Sequence, residues 1–391
     1  MSVEPYFKKE LDDVVFINLR EGFFEKKPEL AFLKGVPIPV SLGQISQEAR
    51  VGRDKSTISP AAAVEAMAFV LGADPHFPYK EAYLRFLDQS VKAPYLFLLG
   101  MGIPKTEQEE YKKAAVLFRA ADVYDRWKRE QSPVAPMKRD PRKPEYPDAL
   151  FNYARACRDV YMESEDTAEK LAFREESVRV FEELTELFPD FDQSYFFLGY
   201  FYMNKKEYQK AKTVWERFLE LTAEGVQRED IQQRMIQLED MMLYEKGYLA
   251  VLNDRSQEGL DILLPLYEKY KEWWNLLFFI GLAYRKLDLP QKGIPFFKEV
   301  ARLKPSQSDA LNELGLCYAA LEDYESAEKY LKKAALVEEN DPELLCNLAA
   351  VYISWGKLEL AEKTLLKAEE LSPEEQIVQM WRSELEKRKS M

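Results

Sequence analysis

The sequence has little cysteine and almost no histidine. Its 391 residues include three cysteines, Cys157, Cys317 and Cys346, without paired spacing, and one histidine, His76. A disulfide framework or a zinc ribbon needs paired cysteines, and a transition-metal site needs clustered imidazoles or thiolates, so the sequence excludes these classes. We therefore predict no metal and no cofactor, a reducing compartment, and cysteines that act as small apolar core residues.

Long apolar runs and glycine-rich phosphate loops are also missing from the sequence. No stretch reaches the roughly 18 uninterrupted apolar residues of a membrane span, and the N-terminal segment is too charged for a signal peptide. Neither Gly-x-x-x-x-Gly-Lys nor Gly-x-Gly-x-x-Gly occurs. The net charge of −13 repels nucleic acid and anionic lipid. His76 lies between Pro75 and Pro78 without a nucleophile pattern around it, so we predict a cytoplasmic protein that is not an enzyme and binds neither nucleic acid nor membrane.

What the sequence does contain is a repeat with a period of 34 residues. Small residues recur at this spacing at Gly247, Gly281, Gly315 and Ala349. Counted from each of them, position +12 is again small, as in Gly259, Gly293, Ala327 and Ala361. Position +16 is large and apolar, as in Leu263, Phe297, Leu331 and Leu365. Position +19 is apolar too, and a tyrosine stands at +3 in the last three units, as Tyr284, Tyr318 and Tyr352.

This pattern predicts pairs of antiparallel helices. Two helices approach closely where a Gly or Ala of one meets a Gly or Ala of the other, with larger residues packed beside them. Pro305 and Pro373 would end second helices, because proline cannot continue them. A further unit lies out of phase at Gly199, which leaves about 14 residues near 225–239 to lengthen a helix or form a loop. Another unit, around Ala154, is predicted to contain an expanded turn at 162–171.

The repeat resembles the tetratricopeptide repeat family over residues of about 146–375. The resemblance implies an all-α fold, a right-handed α-α superhelical solenoid, with a mostly helical N-terminal region. The predicted units lie near 148–191, 192–225, 240–273, 274–307, 308–341 and 342–375. A capping helix at 376–391 is predicted to place Ile377, Met380, Trp381 and Leu385 on one face.

Residues 1–130 are predicted to be mostly helical. Amphipathic helices are expected at 6–20, 60–71, 79–89 and 107–129, whereas Pro37 and Pro39 make 35–40 extended. Ala114, Phe118 and Ala121 have the spacing of a second helix, which predicts a degenerate repeat at 93–130. Residues 131–147 contain five prolines among basic residues and are predicted to be a linker.

In the family that the repeat resembles, the first helix of each unit lines a concave groove. The resemblance therefore implies that positions −3, +1 and +4 face a bound peptide. We predict a peptide-binding groove of Phe196, Tyr200, Met203, Tyr244, Tyr248, Phe278, Leu282, Arg285 and Asn312. The alternative is that these side chains are covered by the insertions or by the N-terminal third of the chain.

The function that this resemblance implies is a non-enzymatic scaffold or adaptor that binds a protein or peptide. A second hypothesis rests on residues 45–72, which resemble a lambda-repressor-like helix-turn-helix. The spacing between its two helices is short, and Pro60 falls where the recognition helix would end. Under that hypothesis the chain would be a repeat-containing regulator with a degenerate N-terminal DNA-binding region.

Overall fold

The computed structural model describes residues 2–43, 60–131 and 146–390. These residues belong to two compact units, residues 1–233 (unit 1) and residues 234–391 (unit 2). The helix-turn-helix candidate up to residue 59 and most of the predicted linker lie outside the described residues. Within the described ranges, every helix is too short or too polar to cross a membrane.

The N-terminal part of unit 1 combines helices with one pair of strands. Its elements are α1 (Glu4–Lys9), β1 (Val14–Ile17), α2 (Glu21–Lys26), a 3-10 helix (Pro28–Leu33), β2 (Ile38–Ser41), α3 (Pro60–Ala73) and α4 (Lys80–Ser90). The strands are antiparallel, with Val14 opposite Ser41 and Ile17 opposite Ile38. The extended segment at 35–40 is thus confirmed in β2. The single helix predicted at 6–20 is wrong, because the β-branched residues of β1 pair with β2 instead.

The rest of the described chain consists of helix hairpins and one final helix. In unit 1 they are α5 (Pro94–Glu107) with α6 (Tyr111–Glu130), α7 (Asp148–Glu163) with α8 (Thr167–Leu187), and α9 (Asp192–Asn204) with α10 (Tyr208–Leu221). The helix α11 (Val226–Leu252) pairs with α12 (Ser256–Lys269). In unit 2 there follow α13 (Trp274–Lys286) with α14 (Pro290–Leu303), α15 (Ser308–Ala320) with α16 (Tyr324–Val337), α17 (Pro342–Ser354) with α18 (Leu358–Leu371), and α19 (Gln376–Lys389).

Close contact at the small residues holds each hairpin together. A Cβ added to Gly281 would lie 2.9 Å from the Phe297 ring, and one added to Gly315 would lie 2.6 Å from Leu331 Cγ. The small residue of the first helix therefore packs against the large residue at +16. The small residue at +12 faces backbone: a Cβ on Gly293 would lie 2.9 Å from the Gly281 carbonyl oxygen. Gly281 and Gly293 thus meet as the sequence predicts, with Phe297 as the larger residue packed beside them.

A left-handed residue joins the two helices of six hairpins. It stands at position +7 in each, and only the last of them is glycine: Glu109, Lys206, Asp254, Asp288, Glu322 and Gly356.

Glu109 belongs to the hairpin of α5 and α6, where a Cβ on Gly102 would lie 2.5 Å from the Phe118 ring. Residues 94–130 therefore have the same contact geometry as the other hairpins.

The hairpin of α7 and α8 is longer than the others. Ser177 donates to the Ala154 carbonyl oxygen at 2.8 Å and occupies the small position 23 residues after Ala154, where the other hairpins have 12. The difference is about three helical turns. It extends both helices rather than forming the expanded turn predicted at 162–171, since only 164–166 separate α7 from α8. Residues 226–239 likewise lengthen α11.

The helix α1 docks on this long hairpin. Phe7 is fully buried, with its ring centroid 5.4 Å from that of Phe173 and 6.2 Å from that of Tyr153. At the other end of the chain, α19 buries Val378 and Leu385 against the last hairpin. Met380, predicted to share the buried face, is exposed, because the helical phase directs Val378 inward instead.

Candidate binding cleft between first helices

The first helices α7 and α9 of unit 1 enclose a cleft of about 390 Å³. We call it the first-helix cleft. Its lining residues come from the end of α7 and from one face of α9: Arg158, Asp159, Tyr161, Met162, Phe196, Phe197, Tyr200, Phe201 and Asn204. Two of them, Phe196 and Tyr200, belong to the predicted groove.

Aromatic rings form the floor of the first-helix cleft. The centroids of Phe196 and Tyr200 are 5.2 Å apart, and Tyr161 and Phe201 bridge the two helices at 6.2 Å. Phe197 stacks on the buried Phe181 at 5.2 Å. Each of these rings contacts another ring, and ring contacts of this kind stabilise an apolar surface beyond its buried area.

The polar groups of the cleft form ion pairs, ring contacts and hydrogen bonds within the chain. Arg158 lies 4.8 Å above the centroid of Phe197 and forms an ion pair with Asp159 at 2.5 Å. The Tyr200 hydroxyl donates to the carboxylate of Asp230, in the extended part of α11. The lengthened helix α11 thus covers the hydroxyl of Tyr200, which corresponds to the alternative in which insertions cover the groove residues. The ring of Tyr200 still lines the cleft.

Titratable groups near the cleft are displaced from their ordinary pKa values by burial. Burial raises the pKa of the Cys157 thiol, on the inner side of α7, well above its usual value. Burial and the hydrogen bond to Glu182 raise the pKa of the Tyr202 phenol, on α9. Both groups therefore stay neutral at physiological pH and act as packing residues.

The remaining predicted residues lie in unit 2, apart from Met203, which is half-buried on α9. Tyr244 and Tyr248 form a ring cluster, with Tyr244 at 4.4 Å from Trp273 and Tyr248 stacked at 5.1 Å on Phe279. Phe278 packs on Phe297, the ring that faces Gly281. The structure therefore brings the predicted aromatic residues together as two separate sets, one in each unit.

Three predicted residues of unit 2 have partners inside the chain. Leu282 is 7% exposed and packs in the core cluster that contains Val251. Arg285 forms an ion pair with Glu313, whose pKa is raised by burial against the opposing charge of Arg285. Asn312 accepts a hydrogen bond from Asn347 at 3.0 Å. These contacts stabilise neighbouring first helices against one another.

Comparison with protein families supports the repeat directly. A tetratricopeptide repeat model matches residues 192–224, which contain α9, α10 and the Gly199 contact. The chain therefore contains a tetratricopeptide repeat at these residues. The predicted all-α fold of helix-hairpin repeats is thereby confirmed. A second model, of the coatomer epsilon subunit, matches residues 292–388 in the C-terminal repeats.

Solved structures of tetratricopeptide-repeat proteins are similar to the chain at low identity. YrrB, described as a TPR protein with an unusual peptide-binding site, is 15% identical over 60% of this chain and 91% of its own, with a TM-score of 0.27. Pseudomonas aeruginosa pilF is 16% identical over 59% of this chain and 99% of its own, with a TM-score of 0.37. Similarity this low says nothing of what the chain binds. No sequence among the curated proteins compared matches the chain.

The cleft contains residues that the sequence analysis missed. Tyr161 and Met162 were placed in or beside a turn, but α7 continues through both. Phe197 and Phe201 belong to the face of α9 that meets the preceding repeat, one position beyond the predicted groove positions. The available signal was the spacing from Ala154 to Phe181, which fits helices longer by whole turns.

Proposed function

We propose that this protein is a non-enzymatic scaffold that binds a segment of a partner protein in the first-helix cleft. The observation that supports the proposal most is the ring-lined floor at Phe196, Phe197 and Tyr200, open to solvent between two first helices. Met162 extends from its rim with 65% of its surface exposed. An open apolar cavity with few polar groups is the usual form of a peptide anchor site.

The lining favours a large apolar or aromatic anchor side chain. The rings offer stacking surface, and Met162 can adapt to different shapes because its side chain is flexible. Asn204 at the rim is exposed and can exchange hydrogen bonds with the backbone of a bound segment. Truncating an anchor of this type typically weakens binding by about 2 kcal/mol or more.

The ring cluster of unit 2 at Tyr244 and Tyr248 is kept as a secondary part of the proposed peptide site. Phe278 is less suited to a test, because its removal would leave a gap beside Phe297 and reduce stability as well as binding. Leu282, Arg285 and Asn312 would contribute only if their internal contacts were exchanged for contacts with a ligand.

A site-specific photocrosslinker at Met162 tests the proposal in the cells that make the protein. We expect the crosslinker to form discrete adducts with one or a few proteins. We expect these adducts to be lost when Asn204→Trp fills the cleft. The matched control places the crosslinker at Met380, which is 54% exposed on α19. Equal adduct patterns at both positions, or adducts that persist in a folded Asn204→Trp protein, would refute the proposal.

The compartment is proposed from the thiols. All three cysteines are buried and unpaired in the described chain. A reducing cytoplasm keeps such thiols free. We therefore propose that the scaffold assembles its partner in the cytoplasm.

A further inference from the structure

The second helices α16 and α18 of unit 2 border a groove of about 650 Å³. We call it the second-helix groove. Its walls come from the second helices and its floor from α17: Lys332, Ala335, Leu336, Glu339, Leu345, Leu348, Tyr352, Leu360, Lys363, Thr364, Lys367, Glu370 and Leu371. The first-helix cleft lies in the other unit and shares none of these residues.

The corresponding grooves of the two preceding repeats contain a ring from the chain itself. Positions +20 of one hairpin and +15 of the next face each other across such a groove. Tyr267 and Phe296 occupy them between α12 and α14, with their centroids 5.4 Å apart. Between α14 and α16 the ring of Tyr330 packs with Ala301 against the same core cluster. Each of these grooves is therefore filled by at least one ring.

The second-helix groove has no ring at either of its two facing positions. Ala335 stands at +20 and Thr364 at +15, and both line the open volume. In the two preceding hairpins the residue at +15 also stacks on the tyrosine at +3, as Tyr330 does on Tyr318 at 5.6 Å. The groove therefore lies where the preceding repeats place an aromatic ring, and its volume of about 650 Å³ leaves room for one.

Two exposed leucines border the groove where the other repeats are polar. Leu336 is 71% exposed, and the same position carries the charged residues Glu268, Arg302 and Glu370 in three other hairpins. Leu360 is 39% exposed, and its position carries Lys210, Glu258, Lys292 and Ser326 elsewhere. Two solvent-facing leucines beside one unfilled groove form a continuous apolar patch, which in soluble proteins marks an interaction surface.

The charges around the groove indicate the chemistry of its occupant. Lys363 and Lys367 lie exposed along α18 and form no ion pair within the described part of the chain. Lys332, on the opposite wall, is already paired with Glu328 at 2.6 Å. Glu339 and Glu370 also line the groove. A ligand with carboxylates beside α18 would therefore meet two available ammonium groups in a chain that is acidic as a whole.

We propose that the second-helix groove is a second docking surface, for a segment of another protein that inserts an aromatic side chain between Ala335 and Thr364. Its neighbouring acidic residues pair with Lys363 and Lys367. Leu336 and Leu360 cover the flanks of the inserted ring. The chain would thus hold two partners, or two segments of one partner, at independent sites.

Selection from a displayed random dodecapeptide library on the full-length chain tests this proposal. We expect the selected peptides to combine Trp, Tyr or Phe with Asp or Glu. We expect their affinity for the Thr364→Tyr protein to be at least tenfold lower than for the wild type. That substitution supplies the ring that Tyr330 provides one repeat earlier, so the melting temperature should not fall. Thr213→Tyr is the matched control and should bind as the wild type does, because Thr213 is an exposed threonine of α10 outside both proposed sites.

A second variant in the groove and a control at the other site separate the possible outcomes. Leu336→Glu removes the apolar flank at a solvent-facing position and should also weaken the selected peptides, whereas Asn204→Trp in the first-helix cleft should not. Equal binding to wild type and Thr364→Tyr would overturn the proposal. So would selected peptides without aromatic residues, or a wild-type dimer in sedimentation velocity that Thr364→Tyr dissociates, since the occupant would then be a second copy.

Discussion

The substitution Gly199→Ala should destabilise unit 1 although alanine favours helix more than glycine does. A Cβ at position 199 would lie 1.9 Å from Trp215 Nε1 and 2.3 Å from Cδ1. The ring cannot move aside easily. It is fully buried, its Nε1 donates to the Phe196 carbonyl oxygen at 3.2 Å, and Tyr200 packs against it at 5.3 Å.

The expected magnitude follows from two opposing effects. Replacing glycine by alanine inside a helix stabilises by about 1 kcal/mol, whereas forcing an atom into a packed contact costs about 1–3 kcal/mol and sometimes more. The contact at Gly199 is far below van der Waals distance, so we expect a net loss of about 2 kcal/mol. Gly100→Ala is the internal control, because Gly100 is an exposed helical glycine with nothing within 4 Å of an added Cβ. It should be stabilising.

Urea denaturation followed by circular dichroism measures both variants, and hydrogen exchange with mass spectrometry locates the change in α9 and α10. A double-mutant cycle tests the cause. Gly199→Ala with Trp215→Leu reproduces the natural pair Ala349 and Leu365 of the last hairpin, so the two substitutions should be coupled by about 2 kcal/mol. A stable Gly199→Ala protein, or additive effects in the cycle, would refute the close-contact reasoning.

Three further predictions concern the turns, one buried carboxylate and the thiols. Glu322→Gly should stabilise by about 1 kcal/mol and Gly356→Glu should destabilise by a similar amount, because both residues have positive φ; thermal melts with the opposite signs would contradict this. Burial raises the pKa of the Asp122 carboxyl from 3.8 to about 6 against the opposing charge of Arg126, so the folded state binds this proton more tightly than the unfolded state does and loses stability as the pH rises from 3.8 to 6. As the pH falls from 7 to 4, wild type should gain about 2 kcal/mol relative to Asp122→Asn, whereas a difference between the two that does not change with pH would contradict the assignment. Burial also raises the pKa of the three buried thiols, so iodoacetamide should modify them only on the time scale of unfolding; rapid modification of the native protein would show that they are accessible.

The hairpins were predictable because each contact that defines them is local and repeated. Positions 0, +12 and +16 lie within one hairpin, and their residues at Gly281, Gly293 and Phe297 must be small, small and large for the helices to meet. The strand β1 was not predictable in the same way. Its sequence, Val-Val-Phe-Ile, has no alternation of apolar and polar residues, and its partner β2 lies across an intervening helix and 3-10 helix. The predicted unit boundaries stay predictions.

The cleft was only partly predictable, for a reason that lies in helix geometry. Three extra turns in the hairpin of α7 and α8 leave the apolar face in phase, so the spacing fits longer helices without excluding a long turn. Burial of Leu282 depends on Val251 from the preceding hairpin, a contact between repeats. Position within one repeat cannot reveal which side chains its neighbour covers.

The two proposed surfaces arise from departures at positions that the hairpin does not need. In the first-helix cleft the departure is added length at the end of α7, which brings Tyr161 and Met162 to the rim. In the second-helix groove it is the loss of a ring at Thr364 and the gain of apolar surface at Leu336. Leu331 and Leu365, by contrast, are fully buried at +16 in the two hairpins that form the groove. Packing within the hairpins explains the residues that recur at 0, +12 and +16, whereas the unfilled groove and its exposed leucines are what the proposed docking of a partner segment would cover.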